Sequence, residues 1–337
     1  MQKMIDKNPH KRFNILTGEW VLVSPHRIQR PWQGKQESES RKFGVKYAPD
    51  CYLCPGNTRA NGEKNPRYES TYVFVNDFSA LLPDTKAFCF DKGLLKAESE
   101  MGICKVVCFS PNHSLTLPDM KLDDIEKVIT VWQKEYEALG NTEGINHVQI
   151  FENKGAIMGC SNPHPHGQIW AQQSIPTEVV KKTKTQKDYF AKHGKSLLSS
   201  YLEQELDIQE RIVSSNETFV SLVPFWAVWP FETMIVPRRH MGHIGQMTDR
   251  EKKDFAEQIK TVAQKYDKLF DTSFPYSAGI HQSPTDEPHE EWHWHMPFYP
   301  PLLRSATVKK FIVGYEMLGM PQRDITPEIA AERLKAL

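Results

Sequence analysis

The chain has 337 residues, 39% hydrophobic and 25% charged, enough for a full core in one large domain or two ordinary ones. Its 42 Lys and Arg residues balance 42 Asp and Glu residues, so no net field draws it to nucleic acid or to an anionic membrane, and any anionic ligand must be held by local groups. The charged N-terminus lacks the apolar core of a secretory signal and no apolar run is long enough to cross a bilayer; a cytoplasmic protein is expected, its six cysteines thiols or metal ligands.

Segments 33–50 and 57–67 are polar, without periodicity, and read as loops. Between them stands Cys51-Tyr-Leu-Cys54-Pro-Gly, a close cysteine pair before a turn. Thiolates at that spacing are common ligands of tetrahedral zinc; a redox pair is the rival, but no thioredoxin-like βαβ pattern surrounds it. His113 and His164 are candidates to complete the shell, and four protein ligands would make such a metal structural.

An apolar segment at 103–111 then runs into His113 and a helix in which Ile125, Val128, Ile129, Trp132 and Tyr136 recur on one face. A strand, HVQIFEN, follows, and then GCSNPHPHGQIW at 159–170. Extended backbone would put His164 and His166 on one face, and the prolines place the stretch at a sheet edge or strand end. Gly159 removes a Cβ, while Cys160 and Ser161 offer N–H and hydroxyl groups to an oxyanion. Imidazole can serve as base, metal ligand or nucleophile, and on phosphorus a nucleophilic imidazole gives a reactive phosphoramidate. Gln168 cannot give up a proton, yet its amide can hold a phosphoryl oxygen, which suffices when the leaving group is itself a phosphate. Transfer between phosphates is the chemistry this pattern suits.

The lysine- and serine-rich stretch 177–206 reads as a helical connection across the surface. Beyond it the plan repeats: the apolar segment 232–237, His240, a capping box at Thr248 to Glu251, a helix carrying Phe255, Ile259, Val262, Tyr266 and Leu269, and EEWHWHMPFYP. His113 to His164 and His240 to His293 are nearly equal intervals. The expected fold is therefore α+β, with two tandem halves of antiparallel sheet and helices packed on them: residues 1–177, a connection at 178–206, and residues 207–337. A closing helix is expected after Thr326-Pro327.

With these residues in view, the chain resembles the galactose-1-phosphate uridylyltransferases of the histidine-triad superfamily. The likeness runs from FNILTGEWVLVSPHRIQRPW through VNDFSALLP, FSPNHSLTLPDM, GCSNPHPHGQIWA and WPFETMIVP to FYPPLLRSATVKKFIVGYEML, long blocks in one order. It implies two histidine-triad-like halves and conversion of UDP-glucose and galactose 1-phosphate into glucose 1-phosphate and UDP-galactose through a uridylylated histidine. By the same resemblance His166 is the nucleophile and Gln168 steadies the phosphoryl group. Arg27, Arg30, Asn76, Asp77 and Phe78 resemble uridine and phosphate contacts, with Asn153, Gly159, Cys160 and Ser161 around the reacting phosphate. Lys310, Phe311, Val313, Gly314, Tyr315, Glu316 and Gln322 resemble the hexose-phosphate side, part of it supplied by the second subunit of a homodimer. Cys51, Cys54, His113 and His164 match the family's zinc ligands, a site some members lack.

Members with iron use a glutamate after the QIW block and three later histidines. Here Lys182 stands at the glutamate position and Pro297 where one histidine is expected; His281 and His295 remain, and His293 is no obvious replacement. No iron is expected, with His281, His293 and His295 as strand or surface residues. Three rivals are a nucleotidyl transferase acting on ADP-glucose and orthophosphate, a non-catalytic sugar-nucleotide sensor, and a hydrolase, for which histidine would suit position 168 better.

Overall fold

A computed structural model describes residues 8–26, 44–306 and 308–337. Arg27 and Arg30 lie outside the described residues. Strands β1 (His10–Asn14) and β2 (Glu19–Val23) form a hairpin, and β14 (Gln322–Arg323) adds to β2 in parallel, tying the two ends of the chain together. Strands β4 (Cys89–Lys92) and β5 (Leu95–Glu98) make an exposed hairpin.

The main sheet has nine strands: β3 (Tyr72–Val75), β6 (Gly102–Cys108), β7 (His147–Lys154), β8 (His166–Gln172), β9 (Ile212–Ser215), β10 (Phe219–Leu222), β11 (Thr233–Pro237), β12 (Tyr276–Ile280) and β13 (Met296–Tyr299). Their spatial order is β3-β6-β8-β7-β12-β13-β11-β10-β9, with every neighbouring pair antiparallel. The order explains the repeat. β3-β6-β8-β7 matches β10-β11-β13-β12 read from the other side, so the halves meet back to back where β7 pairs with β12.

Each half carries one long helix between corresponding strands, α1 (Leu122–Gly140) and α4 (Asp249–Leu269). The apolar stripe of α1 is buried as its periodicity requires, and the Thr248 capping box closes the first turn of α4 from both directions. Both stripes join one core with Val107, Val148, Ile169, Ala171, Ile235 and Phe298 on one face of the sheet. Strand alternation fills the other face. Val106 and Cys108, flanking Val107, pack with Cys51, Leu53 and Cys54; Met234 and Val236, flanking Ile235, pack with Leu198 and Leu202.

Those leucines belong to α3 (Leu197–Ile208), which follows α2 (Thr177–His193). The stretch expected as a surface connection is thus a pair of helices over the second half of the sheet, burying Val179, Lys182, Gln186, Leu198 and Leu202. The final helix α6 (Pro327–Lys335) has Thr326 as its cap and proline in its first turn. No helix of the described residues is long and apolar enough to cross a membrane.

Candidate active site

His164 and His166 sit where β8 begins. His164 lies in a bend and His166 is the first residue of the strand, which runs inside the sheet between β6 and β7. The segment is thus a strand end, and the edge alternative does not hold. Along β8, Gly167, Ile169 and Ala171 are buried, while His166, Gln168 and Trp170 alternate with them on the half-open face. Gly167 has a spatial reason: a Cβ there would come within 3.0 Å of the Phe109 ring and 3.1 Å of the Phe151 carbonyl.

His166 Nδ1 lies 2.7 Å from the His164 carbonyl. A carbonyl can only accept, so Nδ1 carries the proton and the Nε2 lone pair is left for chemistry. Burial lowers the His166 pKa, favouring the neutral ring. On the neighbouring β7, Phe151 pairs with Gln168 and Asn153 lies two residues further on the same face. The Ser277 hydroxyl donates to Asn153 Oδ1 at 2.7 Å, turning the amide's N–H end outward. Between the strands a short 3-10 turn, Ala156–Met158, is bracketed by Gly155 and Gly159 at φ 90° and 80°, values open to glycine and strained for other residues. Gly159 and Ser161 are exposed, and the Cys160 thiol donates to the Asn162 carbonyl at 3.0 Å.

His164 faces a different task. Its Nε2–H donates to the Ser110 carbonyl at 2.8 Å, so its Nδ1 lone pair points to Cys54 Sγ, 3.5 Å away; His113 Nδ1 is also 3.5 Å from that sulfur. The candidate ligand atoms of Cys51, Cys54, His113 and His164 all lie within 4.8 Å of one another. Two sulfurs and two imidazoles this close together are a donor set of the kind tetrahedral zinc takes. Burial pushes the Cys54 thiol up to about 11, so thiolates here call for a cation to neutralise them. The cysteine–histidine cluster and His166 are mechanically linked, because the peptide carbonyl that orients His166 belongs to His164, a member of the cluster.

The second half repeats this arrangement. The His240 and His293 rings are 5.3 Å apart, as His113 and His164 are at 5.4 Å; His293 Nε2–H donates to the Pro237 carbonyl, and His295 Nδ1 lies 3.3 Å from the His293 carbonyl. His293 and His295 are buried, so the surface alternative fails for both, and His293 also lies outside the strands, in the loop just before His295. What stands at His295 Nε2 is Lys182 Nζ from α2, at 3.3 Å, with His281 stacked on the His295 ring. Pro297 has no side-chain donor, and the group facing His295 Nε2 is a lysine nitrogen where a carboxylate oxygen would suit iron better.

Burial lowers the Lys182 pKa to about 7. The unfolded chain, with Lys near 10.4, then binds more protons than the folded one between about pH 7 and 10.4, so this group makes stability rise with pH across that window. Lys182→Met should remove a slope of about 1 kcal/mol per pH unit. Denaturant unfolding of both proteins at several pH values checks this; equal slopes would contradict it.

The remaining described candidates form two groups. Asn76 caps its own turn by accepting from the Phe78 N–H at 3.0 Å, Asp77 lies 3.6 Å from Arg59, and Phe78 is 81% exposed. Lys310 pairs with the Glu316 carboxylate and the Gln322 carbonyl on its own segment, Gly314 takes φ 56°, and Phe311, Val313 and Tyr315 are exposed. A cavity of about 580 Å³, lined by Tyr136, His240, His243, Gln246, His289 and Trp292 among others, contains neither His166 nor Gln168. Trp170 stands two residues beyond Gln168 on the same face of β8.

The chain has known relatives along nearly its whole length. Residues 1–176 match the family model for the N-terminal domain of galactose-1-phosphate uridyl transferase, and residues 182–337 match that for its C-terminal domain. The chain belongs to the galactose-1-phosphate uridylyltransferase family. It is 53% identical to the galactose-1-phosphate uridylyltransferase of Haemophilus influenzae, covering 98% of this chain and 95% of that protein. With the Saccharomyces cerevisiae galactose-1-phosphate uridylyltransferase it shares 49% identity over 97% of this chain and 94% of the relative. Among solved structures, a uridylyltransferase superposes with a TM-score of 0.78 at 27% identity, covering 97% of each chain. An ADP-glucose phosphorylase of Arabidopsis thaliana with bound ADP-glucose gives 0.77 at 25% identity, covering 98% of this chain and 99% of that one. Like its galactose-1-phosphate uridylyltransferase relatives, the chain is a nucleotidyltransferase enzyme.

Proposed function

We propose that this enzyme moves a uridylyl group from UDP-glucose to galactose 1-phosphate in two displacements at one phosphorus, with His166 as the nucleophile. The observation that carries the reading is the pinned Nδ1–H of His166, which leaves a neutral Nε2 at a half-open face beside the Gln168 amide. In the first displacement Nε2 attacks the α-phosphorus; a P–N bond forms, the P–O bond to glucose 1-phosphate breaks, and that phosphate leaves as an anion without needing a proton. The imidazolium left behind keeps its Nδ1–H on the His164 carbonyl, which stabilises the charge. Galactose 1-phosphate then attacks the same phosphorus through a phosphate oxygen, breaks the P–N bond, and leaves as UDP-galactose.

In this reading Gln168 holds a phosphoryl oxygen, and Asn153, Gly159, Cys160 and Ser161 line the phosphate. Arg27, Arg30, Asn76, Asp77 and Phe78 belong to the uridine side. Lys310, Phe311, Val313, Gly314, Tyr315, Glu316 and Gln322 belong to the hexose-phosphate side, completed across a homodimer; the exposed apolar segment 311–318 supports that assignment. Cys51, Cys54, His113 and His164 would hold zinc, whose contribution is to fix the His164 backbone. Residues 1–177 would carry nucleophile and metal, 178–206 the connection, and 207–337 the hexose contacts, in a cytoplasmic enzyme.

The ADP-glucose rival is tested by offering radiolabelled UDP-glucose or ADP-glucose with galactose 1-phosphate or orthophosphate. Label is expected in UDP-galactose, with parallel double-reciprocal plots. Turnover of ADP-glucose with orthophosphate in preference would contradict the substrate assignment.

A further inference from the structure

Gln168 is held in one orientation by its neighbour two residues along the strand. The Trp170 indole Nε1–H donates to Gln168 Oε1 at 3.1 Å. An indole N–H is a donor only, so the contact settles which end of the carboxamide faces it: the oxygen is turned to Trp170 and the Nε2 hydrogens to the other side. The indole is itself seated by Phe151, whose ring meets it edge-on at 5.7 Å, and its cross-strand partner on β7 is Gln149. Phe151 is in turn the cross-strand partner of Gln168. Three of the four residues on the open face of β8 thus form a line: a nucleophile, an amide, and an indole that fixes the amide.

We infer that Trp170 is a positioning residue for the uridylyl transfer, locking the Gln168 carboxamide so that its N–H end is presented to the phosphoryl oxygen before substrate arrives. The inference rests on the reading of His166 and Gln168 given above. A glutamine on a half-open face has several side-chain torsions and two nearly equivalent amide flips, and in half of its flips it would present an oxygen to an anion. A donor acts well on a developing negative charge when it is already aimed and pays no reorganisation during reaction. Trp170 supplies that aim without touching substrate.

The test uses the whole chain with Trp170→Phe, which keeps an aromatic ring for Phe151 to meet but removes the N–H together with the five-membered ring that carries it, so the Gln168→Ala background serves as the packing control. Single-turnover formation of uridylylated protein from labelled UDP-glucose is measured for wild type, Trp170→Phe, Gln168→Ala and the double variant. Trp170→Phe is expected to slow labelling at saturating UDP-glucose about five- to twentyfold, with less than a twofold change in the concentration that half-saturates it. In the Gln168→Ala background the same change should matter by less than twofold, because there is no amide left to orient. Packing alone would slow both backgrounds equally, and that result, or a wild-type rate in Trp170→Phe, would overturn the role while leaving the covalent reading intact. Wild-type enzyme that takes up no label would overturn both. Should Trp170→Phe not fold, the indole N–H proton resonances of the eight tryptophans decide the matter: one is expected to shift in Gln168→Ala, and none shifting would overturn the contact.

Discussion

His166→Gly is expected to give a folded, metal-loaded protein that takes up no label from UDP-glucose and turns over at least about a thousandfold more slowly than wild type. The magnitude follows from what is removed. Without an imidazole the donor phosphate has no covalent acceptor, and direct transfer between two phosphates would require two polyanions to approach each other at one phosphorus. The fold should survive, because His166 is half-buried at the start of β8 and its ladder partner, Cys108, bonds through backbone groups that glycine retains. Circular dichroism and metal content should therefore match wild type. Labelling of this variant in stoichiometric amount would mean that another group, and not His166, is the acceptor.

Cys54→Ser is expected to lose the metal and to lower the melting temperature by about 10 °C. Structural zinc sites contribute on the order of 10 kcal/mol of binding free energy in small domains. A chain of this size has its own cores, so only part of that is expected as lost stability, and about 3–5 kcal/mol converts to roughly this shift. Cys54 is fully buried beside Cys51 and Cys108, and burial pushes the Cys54 and Cys108 thiols up, so an unmetallated site has little to replace the cation. Labelling should also slow, because His164 would no longer be tethered and its carbonyl sets the tautomer and direction of His166. Elemental analysis and thermal unfolding check both parts; a variant retaining one zinc per subunit would contradict the ligand assignment.

Several features were legible in the residues themselves. The α1 stripe from Ile125 to Tyr136 and the Thr248–Glu251 capping box are local patterns set by helix geometry, and they need no knowledge of the partner surface. The tandem plan was visible because His113 and His240 stand at matching distances before their partners His164 and His293. Two features were out of reach for a common reason: both depend on which surface meets which. Lysine-rich 177–206 looks like a solvated helix, and nothing in its spacing says that Lys182 is driven under the sheet to meet His295. Trp170 looks like a core filler, since an indole's apolar area dominates its reading, and only coordinates show its N–H spent on Gln168. The meeting of β7 with β12 is likewise a long-range pairing that strand propensity alone does not encode.

The most direct measurement is the intact mass of the protein after mixing with UDP-glucose alone, followed by addition of galactose 1-phosphate. A gain of one uridylyl group per subunit, lost again when the acceptor is added, is the expected result. A mass that never changes, while the same preparation converts both substrates when they are supplied together, would contradict a covalent His166 intermediate.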